Sequence, residues 1–294
     1  MPELARPIDK NEWNKNQLHP YQLTIFSEIQ ELDYHFFESS NHHKYLFYLT
    51  RFGPFKLARM LFPNVDKASL LEFVVFCKSK GYVFMISLLE SVDYLGLCEQ
   101  GFTQLIDTKN VSIEKSARCN IKKALKEGIT VRKIDDIAGW HALNDIHNTL
   151  LERKSIRLNP ATRLRMYDAL FAENNMHCLL YGGFVENKLI SGVVVCIAKK
   201  YALYTKAATL DDFYSLAPGP LIIKTLSENL NDRVDFVDMN VGVDGVFKEG
   251  GEIGRIIRFK KQFGQAHPVF TYMPWWLLCL RKVIRAAKKE RVHD

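Results

Sequence analysis

The sequence predicts an α+β protein built on a mixed, mostly antiparallel sheet flanked by helices. Three observations carry that expectation. Residues 176–209 hold three consecutive strand-like runs joined by tight polar turns at Glu186-Asn187-Lys188 and Lys199-Lys200, which is the pattern of an antiparallel meander. After residue 211 helical and strand patterns alternate instead, so the sheet gains a crossover-connected half. Earlier, Asp66 stands where it can cap a helix carrying Leu70, Leu71, Phe73, Val74, Phe76 and Cys77, which stops near Gly81 and leads into the apolar run 82–88.

The elements follow in chain order. The first 60 residues are rich in aromatics and histidine and show no clean period. Beyond the helix and strand at 66–88, Ser112 is placed to cap a helix in which Ile113, Ala117, Ile121, Ala124 and Leu125 fall at helical spacing, and Gly128 supplies a left-handed stop. A strand at 129–133 and helices at 136–154 and 161–172 precede the meander strands 176–185, 189–198 and 201–209. A loop at 211–219 then opens a helix at Pro220. It is followed by a strand at 234–240, a glycine-rich link, a helix near 254–263, a short strand at 269–272 and a closing helix from Pro274. No internal sequence repeat and no low-complexity segment is visible.

Composition bounds the function. The chain has 294 residues, 47% hydrophobic and 25% charged, with only 16 Gly and 10 Pro, which excludes intrinsic disorder and collagen-like repeats. The formal net charge is +7, and it is lopsided: residues 1–110 carry 11 basic and 13 acidic side chains, residues 111–294 carry 29 and 20. The second part therefore suits an anionic partner. Six cysteines show no C-x-x-C pair and mostly sit in apolar runs, as expected of reduced core residues in a cytosolic protein. The N-terminus lacks a signal-peptide core and no run approaches the roughly 18 apolar residues of a membrane span. A cytoplasmic location is expected.

The most informative stretch is Ser215-Leu216-Ala217-Pro218-Gly219-Pro220, between the last meander strand and the next helix. Proline in the first helical turn with glycine beside it predicts several free backbone N–H groups at a helix start, where an anion such as a pyrophosphate is favoured. A plain strand-to-helix turn would read the same way. The order of elements around it, a meander, this helix start, a return strand and a helix with Arg255, Arg258, Lys260 and Lys261, resembles the GNAT acyltransferase superfamily. Three local matches narrow the resemblance to its FemAB-like branch, associated with peptidoglycan interpeptide bridges. The run from Arg118 through Cys119-Asn120-Ile121-Lys122-Lys123-Ala124 to Glu127-Gly128 is similar to that branch's Arg-Asn-Ile-basic-Lys-Ala helix. Leu216-Ala217-Pro218-Gly219 resembles its Leu-Ser-Pro-Gly loop, and Phe259-Lys260-Lys261-Gln262-Phe263-Gly264 its Phe-Lys-basic-x-Phe-Gly ending.

The resemblance covers residues 112–270 well and implies a GNAT fold at 111–273, a shorter degenerate GNAT-like N-terminal half at 1–110 and a basic C-terminal helix at 274–294. It also implies an N-acyltransferase that moves an acyl group from acyl-CoA, as co-substrate, to an amine of a small molecule or cell-envelope precursor. Proximity and oxyanion stabilisation would supply the acceleration in a ternary complex, without a covalent enzyme intermediate. Ser215, Leu216, Ala217, Pro218 and Gly219 would hold the donor. Lys260 would stabilise the oxyanion, Tyr204 would donate a proton to it or to the leaving group, and Asp238 would act as base. Arg118, Asn120, Phe259 and Asn240 would contact substrate. The bland readings are a solvated Lys260, a core Tyr204 and a solvated charged face for Lys115, Arg118, Lys122, Lys123 and Lys126.

An aminoacyl-tRNA donor is the alternative within the same branch. A non-catalytic nucleic-acid-binding module and a membrane-associated scaffold are the alternatives outside it. The tail Pro274-Trp275-Trp276-Leu277-Leu278-Cys279-Leu280, followed by Arg281, Lys282, Arg285, Lys288, Lys289 and Arg291, could lie on the inner face of a membrane or pack on the sheet. No histidine has zinc-ligand spacing, so no metal is expected.

Overall fold

The computed structural model describes residues 3–4, 9–25, 33–63, 66–96, 98–153, 159–240 and 251–281. Three of its strands, β2 (Asp33–Glu38), β3 (Lys44–Phe52) and β4 (Phe55–Leu61), form an antiparallel meander in the segment whose sequence shows no period. They are missed because β3 buries four consecutive residues, Tyr45 to Tyr48, which erases the alternation that marks a half-buried strand. The helix α2 (Lys67–Ser79) follows, after the short α1 (Lys10–Lys15), and its start is fixed by Asp66, whose carboxylate accepts from the Ser69 N–H at 3.0 Å. Such a cap contributes about 1 kcal/mol. The strand β5 (Val83–Leu88) then returns parallel to β4.

The second half repeats this plan. Strand β7 (Thr130–Ile134) and helices α4 (Ile137–Arg153) and α5 (Pro160–Ala172) lead into β8 (Cys178–Val185), β9 (Lys188–Ala198) and β10 (Tyr201–Thr209). The helix α6 (Pro218–Asn229) crosses over to β11 (Phe236–Asp238), which pairs parallel to β10. Each half is thus a meander, a crossover helix and a parallel return strand. The halves are joined by exchange: β6 (Cys98–Asp107), which follows β5, pairs with β11, while β12 (Gln265–Tyr272) pairs with β5, and β6 and β12 pair with each other. The result is one twelve-stranded sheet in the order β1-β2-β3-β4-β5-β12-β6-β11-β10-β9-β8-β7, with β1 at Glu3–Leu4. The described strands of both halves belong to this one sheet.

Two local expectations are corrected. The helix α3 (Lys115–Lys126) starts at Glu114 rather than Ser112. The segment before it is held extended, with Ile113 bridged to Phe263 and the Ser112 carbonyl accepting from Gly264 N–H, so Ser112 is occupied in pairing and cannot cap. Gly128 does end the helix at φ +75°. Of the cysteines, Cys77, Cys178 and Cys196 are buried and Cys98 is half-buried, but Cys119 and Cys279 are exposed, because each falls on the outer side of its helix.

The tail packs in part. Residues 275–281 are helical, Leu277 and Leu278 are buried with Leu57 and Met85, and Arg281 pairs with Glu99 at 3.8 Å, whereas Trp275 is 67% exposed. Lys282, Arg285, Lys288, Lys289 and Arg291 lie outside the described residues, as does the glycine-rich link at 241–250. No helix among the described residues is long and apolar enough to cross a membrane, and no group of three or more His, Cys, Asp or Glu there could hold a metal ion.

Candidate functional site

The two parallel strand pairs differ in one respect that creates a site. In the N-terminal half, β4 and β5 stay paired from Leu57 opposite Val83 to Leu61 opposite Ser87, where β4 ends. In the C-terminal half, β10 and β11 pair only at Tyr201–Phe236, Ala202–Val237 and Leu203–Asp238. Strand β10 nevertheless runs on to Thr209, still paired with β9 on its other side. From Tyr204 onward its free edge faces a seam that no described strand closes. A bulge between Tyr204 and Lys206 coincides with the parting, and such a kink adds local twist.

Lys260, from α7 (Gly251–Lys261), reaches into this seam. Its Nζ donates to the Asn240 carbonyl at 3.1 Å and lies 4.8 Å from the centre of the Tyr204 ring. Burial lowers its pKa to about 8, and the nearby Asp238 charge opposes that fall. Asp238 ends β11 and is fully buried. Its Oδ1 accepts from Thr103 Oγ1 on β6 and from the Asn240 N–H at 2.6 Å, and its Oδ2 accepts from the Tyr201 hydroxyl at 2.9 Å. Burial raises its pKa, against these three hydrogen bonds and the Lys260 charge. Asn240 takes a left-handed conformation, φ +55°, and its side-chain oxygen accepts from the Tyr21 hydroxyl at 2.7 Å. Tyr201 and Tyr204 face opposite sides of the sheet, and burial raises both hydroxyl pKa values.

The anion-competent helix start is narrower than its sequence predicts. Pro218 and Pro220 have no N–H, and the Ala217 N–H already donates to the Tyr214 carbonyl at 3.1 Å. Gly219 is left as the N–H donor of the first three helical positions, in place of the several expected. Unlike Asp66 at α2, Ala217, at φ +53°, offers no side-chain cap, so the end of α6 is not closed by its own residue. Ser215 and Leu216 belong to the 3-10 segment Asp211–Leu216, with Ser215 exposed. Phe259 stands against Gly219: a Cβ there would lie 3.4 Å from the ring.

The fold therefore brings Tyr204, Asp238, Asn240 and Lys260 together, and sets Gly219 beside Phe259 on the same helix as Lys260. Arg118 and Asn120 make no hydrogen bond or ion pair with these four among the described residues. Both lie on α3, which packs against α6 and the 3-10 turn through Ile121 and Ala124 and turns Lys115, Arg118, Lys122, Lys123 and Lys126 outward. None of these five cations is ion-paired among the described residues. Thr103, Tyr201 and Tyr21 were missed. The strand carrying Thr103 has Gln100, Thr103 and Gln104 in place of apolar residues, and nothing in residues 1–60 marks Tyr21.

Comparison with known proteins bears on this arrangement. No family model and no curated protein matches the chain. Among solved structures, FemX superposes with a TM-score of 0.68 at 15% identity, covering 93% of this chain and 98% of that one. The chain shares the fold of FemX. The C-terminal DUF2156 domain of a proposed lysylphosphatidylglycerol synthetase from Agrobacterium fabrum superposes with a TM-score of 0.61 at 13% identity, covering 90% of each chain. L-PGS from Bacillus licheniformis scores 0.57 at 14% identity, over 84% of this chain and 90% of that one. The mixed sheet predicted from the meander and the FemAB-like fold implied by the three motifs are thus both observed.

Proposed function

We propose that the chain is an N-acyltransferase in which an amine attacks an activated carbonyl held in the seam between β10 and β11. The observation that carries this reading is the Lys260 ammonium, which projects into an opening that the N-terminal half, built on the same plan, keeps zipped.

Attack of a neutral amine on a thioester or ester forms a tetrahedral oxyanion, and collapse expels the thiol or hydroxyl. With a pKa near 8, Lys260 is mainly cationic at neutral pH and can face that oxyanion from a site with little competing water. The Asn240 carbonyl and the Tyr204 ring orient it. Tyr204 keeps its proton to high pH and can pass it to the departing group while taking up the proton that the attacking nitrogen sheds. Asp238, buried and taken by three donors, suits a positioning role better than that of a base that meets substrate: it fixes Asn240 and keeps Lys260 charged.

Two donors suit this chemistry. Acyl-CoA would set its diphosphate at Gly219. An aminoacyl-tRNA is favoured by a separate observation, the five exposed cations of α3 beside the start of α6, which have no ion-pair partner among the described residues, since a long polyanion gains from such a row while one diphosphate does not. The structural neighbour named for lysylphosphatidylglycerol accords with an aminoacyl group as cargo. The acceptor is then a small-molecule or cell-envelope amine. A mass-spectrometric screen of acyl-CoAs and aminoacyl-tRNAs against amine acceptors tests both levels. Transfer from aminoacyl-tRNA alone supports the favoured donor, transfer from acyl-CoA reverses the order, and no transfer from either class removes the enzymatic reading.

A further inference from the structure

The helix at 275–281 is apolar on both of its sides, and only one side is covered. Leu277 and Leu278 are buried with Leu57, Met85 and Met273. The remaining positions pair one turn apart, Trp275 with Cys279 and Trp276 with Leu280, so these four share the outer side. Trp275, Cys279 and Leu280 are exposed. Trp276 is half-buried, its ring centre 5.0 Å from that of Phe55, which is itself exposed near the tip of the β3–β4 hairpin, opposite Phe52. A helix that is apolar all round belongs where water is excluded on every side. Single exposed apolar residues are ordinary, but a joined group with three large aromatic rings is a surface that meets something other than water.

The charges beside it name the occupant. Next to Phe52 and Phe55 in the hairpin ladder comes the pair Arg51 and Lys56, both exposed and without an ion-pair partner among the described residues. Beyond Arg281 the sequence continues with Lys282, Arg285, Lys288, Lys289 and Arg291 against Glu290 and Asp294. Tryptophan and leucine beside a basic run suit the boundary of an anionic bilayer, where the rings take the headgroup level and the cations meet lipid phosphates. A second copy seated on the same face would instead set one basic run against another. We propose that Phe55, Trp275, Trp276, Cys279 and Leu280 form a face that docks the protein on the surface of an anionic membrane. The proposal does not rest on the transferase reading.

Flotation of the intact chain with phosphatidylcholine vesicles, with and without about 30% phosphatidylglycerol, tests it. The chain should float with the anionic vesicles, bind the neutral ones at least about tenfold more weakly, and lose the difference as sodium chloride is raised. Trp13 and Trp140 are buried, so entry of Trp275 into the headgroup layer should shift the tryptophan emission to the blue when anionic vesicles are added. Trp275→Ala, at an exposed position, should weaken vesicle binding about tenfold and remove most of the shift, with the melting temperature unchanged. Failure to float with anionic vesicles, equal binding to neutral ones, or equal binding by Trp275→Ala overturns the proposal. So does a dimer in sedimentation velocity that Trp275→Ala converts to monomer, which assigns the face to a second copy.

Discussion

Lys260 Nζ donates to the Asn240 carbonyl at 3.1 Å, which ties the last turn of α7 to the residue just beyond β11. Asn240 is itself held by Asp238, through its N–H, and by Tyr21, through its side chain. The ammonium therefore hangs from a chain of hydrogen bonds that reaches back into β6 and the N-terminal segment.

Lys260→Ala should lower kcat by about 10²- to 10³-fold while changing donor affinity little, because the cation acts on charge that develops during the reaction. In the unaltered protein kcat should fall as pH rises through about 8, where Lys260 loses its proton. Steady-state kinetics from pH 6 to 10 check both; an alkaline limb that persists in Lys260→Ala would assign the titration to another group.

Asp238→Asn removes the negative charge that raises the Lys260 pKa. The alkaline limb should then move below its position in the unaltered protein. A merely structural role for Asp238 predicts lower stability with the limb unmoved, so the pH profile and the melting temperature together separate the two.

Gly219→Val places a branched side chain where even a Cβ already meets the Phe259 ring at 3.4 Å. It should push Phe259 aside and block approach to the Gly219 N–H, weakening donor binding about tenfold or more. Titration calorimetry with the accepted donor reads this, and unaltered affinity would take Gly219 out of the site.

His19 is buried among Tyr21, Phe62 and Tyr201, its Nδ1 accepts from the Tyr21 N–H at 3.2 Å, and burial lowers its pKa to about 3. Between that value and the ordinary 6.5 the unfolded chain binds a proton that the folded chain refuses, so stability falls as pH drops through this window. The loss is on the order of 4 kcal/mol at its limit. His19→Asn keeps an acceptor for Tyr21 and should flatten the decline of melting temperature between pH 6.5 and 4, relative to the unaltered protein.

How much of this was legible before folding depends on whether a signal is local. The cap at Asp66, the stop at Gly128, the meander turns and the Phe259-Lys260 pair each rest on residues a few positions apart, and each lies where its spacing predicts. The strands β2 to β4 and β6 leave no such trace, since burial on both faces or polar residues in the sheet's middle erase the period of two. Ser112 failed as a cap for a related reason: its backbone was claimed by Gly264, about 150 residues away.

Local pattern, then, determined the order of the elements from α3 to α6 and the basic face of α3, because hydrophobic period and turn chemistry act over one or two turns of chain, while Lys260 was singled out by the resemblance of its Phe-Lys motif. The three-dimensional arrangement alone decided that the two halves share one plan and exchange strands, that only the β10–β11 pair parts, and that Thr103, Tyr201 and Tyr21 surround Asp238 and Asn240. Those relations join residues from distant parts of the chain, and no short-range preference encodes which strand will end its pairing early.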